Sequence, residues 1–302
     1  MNVGVIGIGN MGKNHVRIYS ELKGIDNVFV FDKNKAQIEK IEKFGVKTCN
    51  SLKELFDKVD AVSICVPTKH HFEIAKICIE ENVPCLIEKP IAMNYEEGKR
   101  LLELDKENKI IGVGHIERFN PIVSEIAKII KYPVYIEIKR HNPESSRIID
   151  SSIIEDLMIH DIDIVFNKLF KYEKYEIKGV IGNSDLCNAS LSFDNCFVSL
   201  SASRIANKKI RKIYVEETDR TIEGDFMTQE IYIYRKPTKY MTEDYTYKQE
   251  NITEKVLVSK VEPLRIELIT FLECIKKNKE FPVSPSEGVS NLKICEEIKK
   301  LI

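Results

Sequence analysis

Asp156 and His160, a carboxylate and an imidazole four residues apart, are the pair in this sequence best suited to moving a proton. Histidine changes charge near neutral pH, and a carboxylate one turn away fixes its tautomer and raises its basicity. Asp156, His160, Asp163 and Asn167 recur at i, i+4, i+7 and i+11, which places them on one face of a helix. A solvated helix face is the alternative reading of that spacing. Lys89 adds a cation within Glu88-Lys89-Pro90, directly after the apolar run Val83 to Ile87. Ligands of open α/β sheets bind beyond the carboxyl ends of strands, where this lysine falls; an ordinary surface charge is the alternative.

Gly7, Gly9 and Gly12 form G-x-G-x-x-G after a first apolar run and at the start of a helical stretch. In that context the glycines give a tight turn, close backbone approach to a pyrophosphate and helix packing on the strand, with the helix N-terminus facing an anion. Asp32 ends the second apolar run, 20 residues beyond Gly12. Its carboxylate would accept both ribose hydroxyls and repel a 2′-phosphate, so NAD is favoured over NADP, and the adjacent Lys33 softens that preference. His15 is read as a helix-surface residue, with an approach to the cofactor as the alternative.

Positioning these groups requires strands and helices in alternation. Expected strands are Val3 to Gly7, Asn27 to Phe31, Ala61 to Val66, Val83 to Ile87 and Ile110 to Gly114. Expected helices lie near Lys13 to Lys23, Lys35 to Phe44, Ser51 to Phe56, Phe72 to Glu81 and Tyr95 to Asn108, a doubly wound parallel sheet covered on both faces. The boundary falls near Asn120 and Pro121, dividing the chain into residues 1–120, a dinucleotide-binding domain, and 121–302, a second α/β domain. The second part opens with a helix and a strand near Val134 to Arg140. A helix from about Ile153 to Phe170 follows, with Ser152 and Glu155 at capping-box spacing and Met158, Ile162, Val165, Phe166 and Leu169 as its apolar stripe. Serines alternate with apolar residues in Ala189 to Phe193 and Phe197 to Ala202, a half-buried sheet with one polar face. Further strands are expected at Ile210 to Glu216, Arg220 to Phe226 and Gln229 to Arg235, then a tyrosine-rich polar loop over Lys236 to Asn251 and two closing helices.

The 302 residues suffice for two domains with a buried site. Lys plus Arg is 46 against 47 Asp plus Glu, a formal charge of −1 without blocks of one sign, so no nucleic-acid partner is indicated. No apolar run approaches the roughly 18 residues of a membrane span. The eight cysteines form no C-x-x-C pair and are read as reduced core thiols, with no metal site expected. The first residues enter a strand pattern without a leader, which makes the cytoplasm the expected location. Arg118, Asn120, Arg140 and Arg147 are candidates to hold a sugar diphosphate, since guanidinium groups clamp phosphate oxygens bidentately and an amide bonds sugar hydroxyls; surface salt bridges are the alternative for each arginine.

G-I-G-N-M-G at 7–12, P-T-K-H-H at 67–71, E-K-P at 88–90 and D-L-M-I-H-D-I-D at 156–163 together resemble the Gfo/Idh/MocA oxidoreductases over essentially the whole chain. G-H-I-E-R-F-N-P at 114–121 further resembles the subgroup that oxidises UDP-N-acetylhexosamines such as UDP-N-acetylglucosamine at carbon 3. The resemblance implies an N-terminal Rossmann domain and a C-terminal α/β domain for substrate binding and oligomerisation, with an open, mainly antiparallel sheet that pairs copies into a homodimer or homotetramer. It implies catalytic roles for Lys89, Asp156 and His160, and NAD contacts from the loop that includes Asn10 and Met11, from Pro67 and His71, and from Glu88 beside Lys89. A dehydrogenase of a free polyol or sugar of the inositol type, or a non-enzymatic cofactor-binding regulator, is the alternative.

Overall fold

The computed structural model describes residues 1–105, 111–143, 152–171, 173–236, 240–243, 246–249 and 251–302. They form two compact units: Met1–Ile116 with Glu262–Glu296, and Glu117–Val261 with Glu297–Ile302. The first unit alternates β1 (Asn2–Ile6), α1 (Asn10–Glu21), β2 (Asn27–Phe31), α2 (Lys35–Glu39), β3 (Lys47–Thr48), α3 (Leu52–Phe56), β4 (Ala61–Ile64), α4 (His71–Glu80), β5 (Cys85–Glu88), α5 (Tyr95–Leu104) and β6 (Ile111–Gly114). All pairings are parallel, in the order β3-β2-β1-β4-β5-β6. That order reverses between β1 and β4, the place where such sheets bind nucleotides. Most residues of β1, β2, β4 and β5 are buried, as strands covered on both faces must be. The helix expected over Lys35 to Phe44 is broken: α2 stops at Glu39, and a 3₁₀ turn at Glu42–Phe44 ends on Gly45 in the left-handed region. The two-residue edge strand β3 carries no alternation to announce it.

In the second unit α6 (Pro121–Ile129) and β7 (Tyr135–His141) precede a helical run whose centre is α7 (Ile159–Ile164), flanked by π-helical turns at Ile154–Met158 and Val165–Leu169. The capping box forms: Ser152 Oγ accepts from the Glu155 amide at 3.4 Å, and Glu155 accepts from the Ser152 amide at 3.2 Å. There follow β8 (Tyr175–Gly182), β9 (Leu186–Phe193), β10 (Cys196–Ser203), β11 (Ile210–Glu216), β12 (Arg220–Asp225), β13 (Glu230–Arg235), β14 (Tyr240–Glu243), β15 (Thr246–Gln249) and β16 (Ile252–Val256). The eight-stranded sheet runs β16-β13-β12-β11-β7-β10-β9-β8, antiparallel throughout except where β7 meets β10. Its apolar face packs on α6 and the α7 run; an ideal Cβ on Gly224 of β12 would lie 2.7 Å from Ile126 of α6, so glycine admits the helix there. The serine alternation holds through Leu200 and then fails, because Ser201 and Ser203 are buried and the Ser201 hydroxyl bonds His141 at 2.8 Å. The tyrosine-rich stretch expected as a loop carries the hairpin β14–β15, and β8 forms where no strand was expected.

The last two helices correct the expected boundary. With α8 (Pro263–Lys276) and most of α9 (Pro285–Lys299), residues Glu262–Glu296 belong to the first unit rather than to a second domain running to the end. Leu264, Leu268, Phe271 and Leu272 of α8 join Val16, Ile18 and Tyr19 of α1 in one apolar cluster, with ion pairs Arg17–Glu262 and Arg265–Glu21 at its rim. The cysteines are free thiols, six of them buried. Among the described residues no helix is long and apolar enough to cross a membrane.

Candidate active site

The glycine turn is built by its own backbone. Gly7 adopts φ +87°, and a Cβ on Gly12 would fall 1.9 Å from the Gly7 carbonyl oxygen, so the third glycine is what lets α1 start against β1. Gly9, the N-cap of α1, has open space where a Cβ would be, no side-chain cap follows it, and the first turn carries no acid. Uncapped amides at a positive dipole end suit a phosphate. The Asp32 carboxylate accepts the Ile8 amide at 2.6 Å and the Asn34 amide at 2.7 Å, so it also holds the glycine loop against β2. Around these groups lies a cleft of about 840 Å³, lined by Gly7, Gly9, Asn10, Met11, Asp32, Lys33, Pro67, His71, Glu88 and Lys89. Of the ten residues assigned to the cofactor from sequence, only Gly12 stays out of the lining, since it packs on Gly7. Asn34, Gln37, Thr68 and Ile74 also line the cleft and were not singled out. The open face at Gly9, the uncapped amides and the Asp32 carboxylate fit a dinucleotide.

The far end of the cleft is held by two histidines. Burial lowers the His71 pKa, and its ring nitrogens lie 2.8 Å from the Pro90 carbonyl oxygen and 2.9 Å from that of Val66. The ring therefore ties the turn after β4 to the cis Lys89–Pro90 turn after β5. His15 is fully buried, not on the helix surface as expected, and its Nε2 lies 2.9 Å from Glu88 Oε1. A neighbouring carboxylate, 73 residues away in sequence, draws it inward. His15, Glu88 and Cys65 offer ligand atoms within 4.8 Å of one another, and burial raises the Cys65 thiol well above its ordinary pKa.

In the second unit the polar face of the α7 run divides. Asp156 and His160 are half-buried, whereas Asp163 is wholly buried and accepts from Arg118 Nε at 2.8 Å and Nη2 at 2.6 Å, with Asn167 donating to it at 3.0 Å. Asp161, one residue after His160, takes Arg140 in the same forked way at 2.7 to 3.1 Å, and Arg140 Nη1 reaches Glu117 Oε1 at 2.8 Å. Asn120 caps α6, accepting from the Ile122 amide at 3.4 Å, and donates to Glu117 and to the Phe226 carbonyl. Arg118, Asn120 and Arg140, expected as candidate substrate ligands, thus have buried partners inside the unit; Arg147 lies outside the described residues. Burial lowers the Arg140 pKa, but Asp161 and Glu117 outweigh it and the guanidinium is held firmly charged. The same balance runs in favour of charge at Glu117, where burial raises the carboxyl and Arg140 and Arg211 bring it below its ordinary value.

A parallel sheet of this order, with a phosphate-ready glycine turn and an acid at the end of β2, defines a dinucleotide-binding protein of the Rossmann type. The family model for the Gfo/Idh/MocA oxidoreductase family, NAD-binding Rossmann fold, matches residues 1–115. The UDP-N-acetylglucosamine 3-dehydrogenase of Acidithiobacillus ferrooxidans is 31% identical over 245 residues, covering 78% of this chain and 77% of that protein. A solved structure of the UDP-N-acetylglucosamine 3-dehydrogenase GnnA from the same organism superposes with a TM-score of 0.86 at 26% identity, covering 100% of this chain and 97% of the other. An inositol 2-dehydrogenase of Paracoccus denitrificans is 26% identical over 182 residues, 55% of this chain and 53% of that protein. The chain belongs to the Gfo/Idh/MocA family of oxidoreductases.

Proposed function

We propose that this enzyme oxidises carbon 3 of UDP-N-acetylglucosamine, or of a related UDP-N-acetylhexosamine, to the 3-keto sugar nucleotide. The observation that carries this reading is the likeness to the 3-dehydrogenase, which extends over 77% of that protein at 31% identity; the inositol 2-dehydrogenase matches over 53% at 26%. NAD, when bound, accepts the hydride from the carbinol carbon. His160 takes the hydroxyl proton, and Asp156, one turn earlier, holds the imidazole tautomer and stabilises the positive charge it gains. Lys89, at the mouth of β5, donates a hydrogen bond to the same oxygen and steadies negative charge as the proton leaves. Pro67, His71 and Glu88 shape the cofactor end, and Asp32 selects NAD over NADP by its charge. The open sheet face, with Tyr214, Tyr232 and Tyr234 half-buried or exposed upon it, pairs copies of the chain in the cytoplasm; a monomeric mass by light scattering would overturn that part. The function itself is tested by following NADH absorbance with NAD and UDP-N-acetylglucosamine, myo-inositol or glucose in turn. Turnover with the UDP-sugar is expected; turnover with inositol alone, or with none, overturns the reading.

A further inference from the structure

With Arg118 and Arg140 paired inside the unit, one arginine on this layer is short of acceptors among the described residues. Arg211 on β11 stands opposite Arg140 on β7, so the two side chains share a face of the sheet. Both guanidinium groups reach the same oxygen, Glu117 Oε1, at 2.8 Å from Arg140 and 3.2 Å from Arg211. Arg140 has Asp161 besides. Among the described residues Arg211 has only the shared oxygen, and its buried Nε has no hydrogen-bond partner. Glu117 has little more to give, since its other oxygen accepts from Asn120 at 3.2 Å. The Arg211 side chain is 29% exposed, so one edge of the fork is sealed and the other is reachable. It closes a run, Arg204-Ile205-Ala206-Asn207-Lys208-Lys209-Ile210-Arg211, with four cations and no acid. Lys209 is exposed, and the charge of Arg211, more than burial, lowers its pKa. Burial and then Arg140 lower that of Arg211, while Asp156 acts in the opposite sense, so Arg211 lies within electrostatic reach of the face that carries His160. Two cations that disfavour each other, one of them within electrostatic reach of Asp156, call for a multiply charged anion with several acceptor oxygens.

We propose that Arg211, assisted by Lys209, binds the diphosphate of the nucleotide sugar and so sets the preference for a nucleotide-linked over a free sugar. This rests on the UDP-sugar reading of the site. The test is calorimetric titration of the NAD-saturated full-length protein with UDP and, in parallel, with uridine, which lacks the phosphates. In Arg211→Gln the affinity for UDP is expected to fall about 10- to 100-fold, the range of hydrogen bonds to charged groups, and in Lys209→Gln less. Uridine affinity should not change, and KM for UDP-N-acetylglucosamine should rise more than kcat falls. Unchanged UDP affinity in a folded Arg211→Gln protein, with the wild type active on UDP-N-acetylglucosamine, overturns the diphosphate assignment and leaves the function standing. A wild type that binds no UDP and oxidises inositol overturns both. Should circular dichroism show Arg211→Gln unfolded, Arg211→Lys and the exposed Lys209→Gln decide: UDP affinity unchanged in both overturns the assignment.

Discussion

The glycine turn of the first unit and the charged layer of the second handle polar groups in opposite ways. At the turn the working groups are backbone amides, placed by residues within a few positions of each other and stabilised by having no side chain in the way. In the charged layer the polar groups are long side chains, and Arg118 and Arg140 meet partners far along the chain: Arg118 meets Asp163, and Arg140 meets Asp161 and Glu117. A backbone site tolerates change around it as long as the glycines stay. A layer of buried ion pairs is only as stable as its full set of partners, because an abandoned charge keeps its desolvation cost.

The largest effect should come from the proposed chemical groups. His160→Asn and Lys89→Met are each expected to cut NADH formation from UDP-N-acetylglucosamine by about 10²- to 10⁴-fold, with NAD affinity by fluorescence titration little changed; Asp156→Asn should be milder and move the pH profile. Near-normal turnover in both of the first two would mean that neither unit supplies its chemistry from these residues. Next comes the layer itself. Arg140→Met leaves Asp161 and Glu117 buried without their fork, and urea unfolding should show a loss of about 3 to 5 kcal/mol. A loss below 1 kcal/mol would erase the contrast with the backbone-built site. Asp32→Ala should narrow the preference for NAD over NADP about tenfold, or ~1.4 kcal/mol, while weakening both, since the carboxylate also anchors the Ile8 amide. Equal binding of the two cofactors by the unmodified protein would refute the role of Asp32.

The smallest predicted effect concerns pH. The Glu117 carboxyl lies below its unfolded value, so in the folded protein it holds its proton less tightly than in the unfolded chain. The stabilisation it provides is complete above the unfolded carboxylate pKa and is lost as pH falls through the lower folded value. Glu117→Gln should therefore flatten the acid limb of the stability curve; an acid limb identical to that of the wild type would show that Arg140 and Arg211 do not depend on this charge.

What could be read in advance follows the same division. The glycine turn and the place of Asp32 are legible because strand, glycines and acid lie within 32 residues and their placement is set by local backbone geometry. Lys89, Asp156 and His160 were singled out by strand ending and helical spacing. The buried pairs of Arg118 and Arg140 are not legible in the sequence because their carboxylates lie 45 and 21 residues away and only the tertiary fold brings them together. Arg211 was missed for the converse reason: its distinction is a shortage of partners, which no spacing records, although the acid-free run before it was a visible hint. β8 is harder to read because all of its residues are half-buried or exposed and its alternation breaks at the irregularity between Ile177 and Gly179.

The return of Glu262–Glu296 to the first unit has a consequence for how the molecule is made. During synthesis the six parallel strands emerge early, yet the α8 residues that complete the cluster on α1 leave the ribosome after some 145 residues of the second unit. The nucleotide-binding unit therefore depends for its completion on contacts with a distant part of the chain, which slows its folding and leaves the apolar flank of α1 exposed while translation continues. The second unit has its bulk in one stretch, Glu117–Val261, and takes only Glu297–Ile302 from the end of the chain, so the N-terminal unit is the one that waits for whole helices.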